Sequence, residues 1–307
     1  MATAFPTGVT SFGVPVIGSG LAIPVTTGNY YFVSSTKGSN GNDGLTPQNP
    51  LATVAYAITL TTASNGDCIV MMPYHRESIA AAGGWTPLAG TSIVGLGWGG
   101  TRPLIKTTAT TSTILCSAAN LLFQNFVVQA GITETVTIFS ISGKDVIINA
   151  VDYQEDATNN YTCISFLTTT AAASRFMVLN CRHNSTTVPV GTAAWMSIVG
   201  GDGWTIENNE LNVIRATNAA SCAIGTLTPA ATNVLIRNNV MNLGLTGAGK
   251  ICVSLFAGTT GLVCDNRGIA IGATLASQFG CAGAGAFQNY AAHTANASGI
   301  IEPAVDS

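Results

Sequence analysis

Six short segments of this chain share one pattern: an apolar residue, one residue of any kind, then Asn or Asp. They are Leu121-Leu-Phe-Gln-Asn125, Asp145-Val-Ile-Ile-Asn149, Phe176-Met-Val-Leu-Asn180, Trp204-Thr-Ile-Glu-Asn208, Val234-Leu-Ile-Arg-Asn238 and Gly261-Leu-Val-Cys-Asp265. The Asn or Asp positions fall 24, 31, 28, 30 and 27 residues apart. Irregular repeats of this length, on β-rich sequence without a helical period, predict a solenoid. Each segment follows another short apolar run, such as Thr113-Ile-Leu-Cys116 or Trp195-Met-Ser-Ile198, with a turn between. The expected fold is all-β, a single-stranded right-handed parallel β-helix of about eight coils.

Side chains alternate along a strand, so each column of the stack faces one way. Two residues before the Asn, the column reads Phe123, Ile147, Val178, Ile206, Ile236 and Val263. It is apolar throughout and is expected to face the core. The corner positions Asn125, Asn149, Asn180, Asn208, Asn238 and Asp265 suit a bent, partly left-handed backbone. Their side chains are expected to hydrogen-bond from coil to coil. Three residues before the Asn, the column should face outward, yet it reads Leu122, Val146, Met177, Thr205, Leu235 and Leu262. A strand apolar on both faces is buried on both. Leu122, Val146, Met177, Leu235 and Leu262 are therefore expected to contact another protomer or partner, with cover by the chain's own loops as the alternative.

Residues 1–28 carry no charged side chain and read as an extended N-terminal arm lying on a partner. Residues 29–62 read as an opening strand (Tyr30 to Ser34) and a capping helix near 51–61. The β-helix is expected over 63–270. Residues 271–307, rich in Gly and Ala and without the Asn repeat, read as a capping and contact tail.

Charged residues make up 8% of the chain and apolar residues 47%, with net charge −3. Soluble globular domains usually carry about 25% charged residues, so much of the outer surface is expected to be uncharged or covered. Lys and Arg form no cluster, which disfavours nucleic acid and anionic membrane as partners. No run of 18 apolar residues predicts a membrane span, and the opening MATAFPTGVT lacks the pattern of a secretory signal. The eight cysteines lie mostly in apolar runs and read as small buried hydrophobes, not as a disulfide framework.

The acidic residues are thinly spread. The densest group is Asp152, Glu155 and Asp156. Coil alignment sets Asp152 beside His183 and Arg182 beside Glu210, so Asp152, His183 and Glu210 are the weak candidates for catalysis by paired carboxylates. The expected reading is a solvated loop with ordinary ion pairs, no catalytic residues, no cofactor and no metal. Gly95-Leu-Gly97-Trp-Gly-Gly100 matches a dinucleotide-binding pattern but is followed by Pro103 rather than a helix, so it reads as a turn. His75, Arg76 and Glu77 read as a loop whose side chains diverge. Tyr153, Tyr161, Trp195, Trp98 and Trp85 are candidates for stacking on sugars, with core packing the commoner use. The sequons at Asn160, Asn184 and Asn296 carry no weight without a signal.

Tyr31-Phe-Val, Gly41-Asn-Asp-Gly44 and Pro50-Leu-Ala-Thr-Val-Ala-Tyr-Ala-Ile58 resemble the opening of right-handed β-helix modules in phage and surface proteins. With GDCIVMMPYHRE, SIVGLGWGGTRPLI and the later Asn coils, residues 29–270 resemble the β-helical virion proteins of tailed phages. The resemblance implies a structural virion protein made in the host cytoplasm: a capsid decoration or cement protein, homotrimeric, with the major capsid protein or other virion proteins as partners. The alternative it implies is a tail fibre or tailspike module that binds or cleaves a host glycan. A secreted polysaccharide lyase is the weakest of the three readings.

Overall fold

The computed structural model describes residues 10–11, 14–15, 23–156, 158–185, 187–189, 193–214, 222–243, 251–270, 279–292 and 299–301. Most of the expected N-terminal arm and much of the C-terminal tail lie outside these residues. Three parallel sheets form the body. The first has ten strands, from Tyr30–Val33 through Leu121–Gln124 to Gly285–Phe287. The second has ten, from Arg76–Ile79 to Asn289–Ala292 with the antiparallel Gly299–Ile301 at its end. The third has seven, from Ile114–Cys116 to Phe279–Gly280. One strand of each makes one coil, so the expected parallel β-solenoid is found, with about seven complete coils where about eight were expected.

Each middle strand of the first sheet is bracketed by two residues at positive φ, five apart: Asn120 and Asn125, Asp145 and Ala150, Arg175 and Asn180, Gly203 and Asn208, Asn233 and Asn238. A left-handed residue reverses the chain without a long loop. Asn tolerates that conformation because its short amide bonds locally. The corner expected at Asn149 sits instead at Ala150, φ 52°. Strand pairing agrees, since Asn149 lies opposite Gln124 and Leu179, not opposite Asn125 and Asn180. A one-residue slip turns every side chain to the other face. Val146 and Ile148 are therefore wholly buried, and Ile147 takes the half-buried outer position. Val146 is core, not a contact residue, and Ile147 replaces it in the outer column. Asn149 keeps one expected contact, accepting a hydrogen bond from Asn180 Nδ2 at 2.9 Å.

The main amide ladder lies one residue beyond the corners, facing inward. The Nδ2 of Asn209 donates to Asn239 Oδ1, that of Asn239 to Asn266 Oδ1, and that of Asn266 to Asn289 Oδ1, each at 2.9 Å. The backbone N–H of Asn209, Asn239 and Asn266 donates to the same oxygens. Each Nδ2 also reaches a carbonyl of the preceding coil: Val178, Ile206, Ile236 or Val263. The buried amides of Asn209, Asn239 and Asn266 are tolerated because both Nδ2 donors and the Oδ1 acceptor of each are engaged. Earlier coils fill this column with Phe126, Val151 and Cys181, all wholly buried.

The ladder also corrects the expected end of the solenoid. Residues 279–292 form a further set of rungs, with a corner at Gln288 and Asn289 closing the amide column. Gly285-Ala-Phe287 is too small and mixed to read as an apolar strand, which hid it.

At the other end, helix α1 (Val54–Leu60) lies within the expected 51–61 and buries Val54, Ala57 and Ile58 in the main core. Thr53 caps it by accepting from Tyr56 N. Between the ends runs an aromatic stack: Phe123 to Phe139 at 5.2 Å, Phe139 to Phe166 at 5.3 Å and Phe166 to Trp195 at 6.1 Å. Seven of the eight cysteines are buried and none is disulfide-bonded, as the sequence suggested. Burial pushes the Cys68 and Cys181 thiols up to about 12, so they pack as neutral hydrophobes.

Two substitutions test this account. Asn239→Ala strands the Asn209 donors and the Ile206 carbonyl, and each orphaned buried group costs about 1–3 kcal/mol. Urea unfolding should register a loss of at least about 3 kcal/mol. Ala150→Asn should be neutral or stabilise by up to about 1 kcal/mol, because it relieves a left-handed Ala. A clear loss of stability would mean that position 150 is not the corner.

Candidate functional site

Asp152, His183 and Glu210 lie on three successive rungs of the second sheet, in Asp152–Gln154, Arg182–Ser185 and Glu210–Val213. Tyr153 pairs with His183, and His183 in turn with Leu211. This puts Tyr153, His183 and Leu211 in the inner column, and Asp152, Arg182 and Glu210 in the outer one. The expected Asp152–His183 neighbourhood is therefore not formed. The cause is the slip at Ala150, which carries the alignment of the following strand with it.

His183 is 1% exposed. Trp195 Nε1 donates to its Nδ1 at 2.7 Å, and its ring lies 4.0 Å from that of Phe166. Burial pushes its pKa down to about 3. It is a neutral acceptor in the core, out of reach of the outer acids.

The acids are each engaged. Asp152 pairs with Arg102 at 2.5 Å and accepts from the Arg182 N–H at 2.9 Å. Arg182 reaches Glu210 at 3.5 Å, as coil alignment predicted. That pair is exposed and contributes at most about 1 kcal/mol. Glu155 accepts from Ser185 Oγ and Thr187 N. Lys106, 3.1 Å from Asp156, holds that carboxyl below its usual range. Among the described residues, no three His, Cys, Asp or Glu side chains come together as a metal site would need.

His75, Arg76 and Glu77 correct another expectation. Residues two apart share a face, so His75 and Glu77 converge while Arg76 faces away. His75 Nε2 lies 3.0 Å from Glu77 Oε2. Glu77 also accepts from Trp85 Nε1 at 3.0 Å and from the N–H groups of Val54 and Ala55 at the start of α1. This carboxylate ties the cap to the stack. The spacing alone carried that signal.

Of the aromatics proposed to meet sugars, Trp85, Trp195 and Tyr153 are buried and Tyr161 packs beside the core. Trp98 is 82% exposed. It stands in the Gly95–Gly100 segment, which runs into a short 3-10 turn at Gly99–Thr101, in keeping with the turn expected there. A surface cavity of about 190 Å³ opens beside that turn.

No protein-family model matches the chain. No curated protein matches it either. Among solved structures, the chain is similar to a rhamnogalacturonan lyase at 12% identity, over 91% of this chain and 90% of that one, with a TM-score of 0.42. It is also similar to a GH136 lacto-N-biosidase from Eubacterium ramulus at 12% identity, with a TM-score of 0.45. That match covers 87% of this chain and spans 64% of the biosidase. Likeness at this level carries no argument about activity. No helix among the described residues is long and apolar enough to cross a membrane.

His183 yields a pH test. Unfolded, it titrates near 6.5; folded, near 3. Between those values the unfolded chain binds the proton and the folded one does not. Stability is then full above about pH 6.5 and falls by about 1.4 kcal/mol per unit as pH drops. Urea unfolding at pH 7 and pH 5 should differ by about 2 kcal/mol, and His183→Leu should lose most of that difference. An unchanged slope in the variant would refute the assignment.

Proposed function

We propose that this chain is a structural virion protein, a capsid decoration component that assembles as a homotrimer and stabilises a phage head by contact rather than by chemistry. The observation that carries this reading is the outer column of the first sheet. Leu122, Ile147, Met177, Leu235 and Leu262 are half-buried there, interrupted by Thr205. The rungs are about 4.8 Å apart, so six of them make a stripe roughly 24 Å tall.

The same face is already covered at its N-terminal end. Phe32, Cys68, Val70 and Val94 are buried there, with Ile23, Tyr30, Met72 and Leu96 packed against them. The chain's own segments thus shelter the first rungs, and a second copy of the chain is the proposed cover for the rest. A stable contact needs about 800 Å² per partner. The low charge and the resemblance to tailed-phage β-helices support a shell location, with the major capsid protein as the further partner.

A second reading, a tail module that contacts a host glycan, is favoured by the outer face of the second sheet. Gln154, Asn184, Asn212 and Asn242 form an exposed amide column there, and Asn212 Nδ2 donates to Asn184 Oδ1 at 3.0 Å.

Met177→Asp and Leu235→Asp should disperse the oligomer in light scattering while leaving the β-sheet signal and melting unchanged. Val146→Asp, in the core, should unfold the protein instead. A wild-type monomer would overturn the contact. Electron cryo-microscopy of particles separates the two readings, shell density supporting the first and tail density the second.

A further inference from the structure

We propose that the turn around Trp98 and the adjoining edge of the second sheet bind one acidic sugar unit, a uronate ring within a glycan. The cavity beside the turn is lined by Arg76, Arg102 and Gln154 around Leu104 and Val127. Pockets for drug-sized ligands run to about 300–1,000 Å³; at about 190 Å³ this one admits a single ring.

The Arg76 guanidinium has donors to spare. Arg76 uses only NH1, towards the carbonyls of Arg102 (3.0 Å) and His75 (3.4 Å), and has no carboxylate partner among the described residues. Arg102 engages Asp152, Phe126 O and Ala150 O through its terminal nitrogens. Its Nε is buried and has no hydrogen-bond partner among the described residues. Arg76 lines the cavity, and its unmet donors call for an acceptor, of which a carboxylate is the strongest.

Trp98 directly precedes the lining residue Gly99, and Tyr74 lies two residues before the lining residue Arg76. Trp98 is 82% exposed and Tyr74 58%, whereas the other three tryptophans are at most 1% exposed. Tyr74 N donates to Thr101 O at 2.8 Å, which binds both aromatics to one turn. That turn is fixed in advance by Trp98 N to Thr101 Oγ1 (2.9 Å) and by Asn125 Nδ2 to the carbonyls of Gly95 and Gly97.

Gly99 and Gly100 form the cavity's remaining wall. Gly99 has φ 52°, which favours glycine, but Gly100 has neither a positive φ nor any atom within 4 Å of an added Cβ. Packing does not demand glycine at 100, and its missing side chain keeps the cavity open.

The chemistry favours a sugar acid over a nucleic acid. A strand of phosphates needs a track of cations, and this chain has 11 Lys and Arg in all. A single carboxylate needs one free guanidinium, with an aromatic face for the ring and the Gln154 amide for hydroxyls. The site is independent of the head or tail location, so its failure leaves the assembly reading untouched.

The test uses the full chain, titrated by calorimetry with galacturonate and glucuronate trisaccharides. Maltotriose and a thymidine oligonucleotide are the comparisons. Saturable binding of a uronate, weakened by salt and absent with maltotriose, is expected. Arg76→Gln should weaken it roughly tenfold, the loss of one charge-assisted contact. Trp98→Ala and Gly100→Leu should abolish it without moving the melting temperature. No uronate binding at about 10 mM, equal binding of maltotriose or the oligonucleotide, or an unchanged Arg76→Gln would each overturn the proposal.

Discussion

The structure depends on turning the chain sharply enough, at the same two places in each coil, that successive rungs stay in register. Left-handed corners five residues apart do this in the middle coils. Once the corners are stacked, the residue just past one of them is forced inward. In the last coils that residue is Asn209, Asn239, Asn266 and Asn289, and each amide finds its partners in the neighbouring coils. A single coil would strand these groups and expose its apolar faces. Coils are therefore stable only as a stack, and both ends need a cap.

The caps use different chemistry. At the N-terminal end, helix α1 buries Val54, Ala57 and Ile58, and the Glu77 carboxylate fastens its first turn to His75 and Trp85. Asp67, wholly buried, binds the N–H groups of Asn29 and Thr62 and the Asn65 amide close by. At the C-terminal end the second sheet finishes on an antiparallel strand, Gly299–Ile301.

With few charges to deploy, the protein uses its acids as staples between coils. Arg175 grips Asp145 in a two-point contact, and Arg237 meets Glu207 on the adjacent rung. Arg102 reaches past one rung to Asp152, as Lys106 does to Asp156. The exposed pairs add little stability. The Arg102–Asp152 pair is better sheltered and also tethers two carbonyls. These pairings explain why the acids clustered in sequence near 152–156 do not gather at one centre.

The sequence by itself determined the architecture. The Asn and Asp spacing, the apolar column and the turn residues specify a parallel stack, because Asn and Asp favour the left-handed corners and the apolar column fills the interior. It also determined that seven of the eight cysteines are buried and that Arg182 meets Glu210. What it left open was the register of one coil. Asn149 looks like a corner, but stacking against Gln124 and Leu179 assigns that task to Ala150, a residue with no local preference for it. Because strand faces alternate, that single position decided that Val146 is core, that Ile147 is outer, and that His183 turns away from Asp152. The cavity that sets Arg76, Arg102 and Gln154 together beside the Gly99–Thr101 turn belongs to the same class. The coils bring those residues together across the stack, and no spacing along the chain encodes that distance.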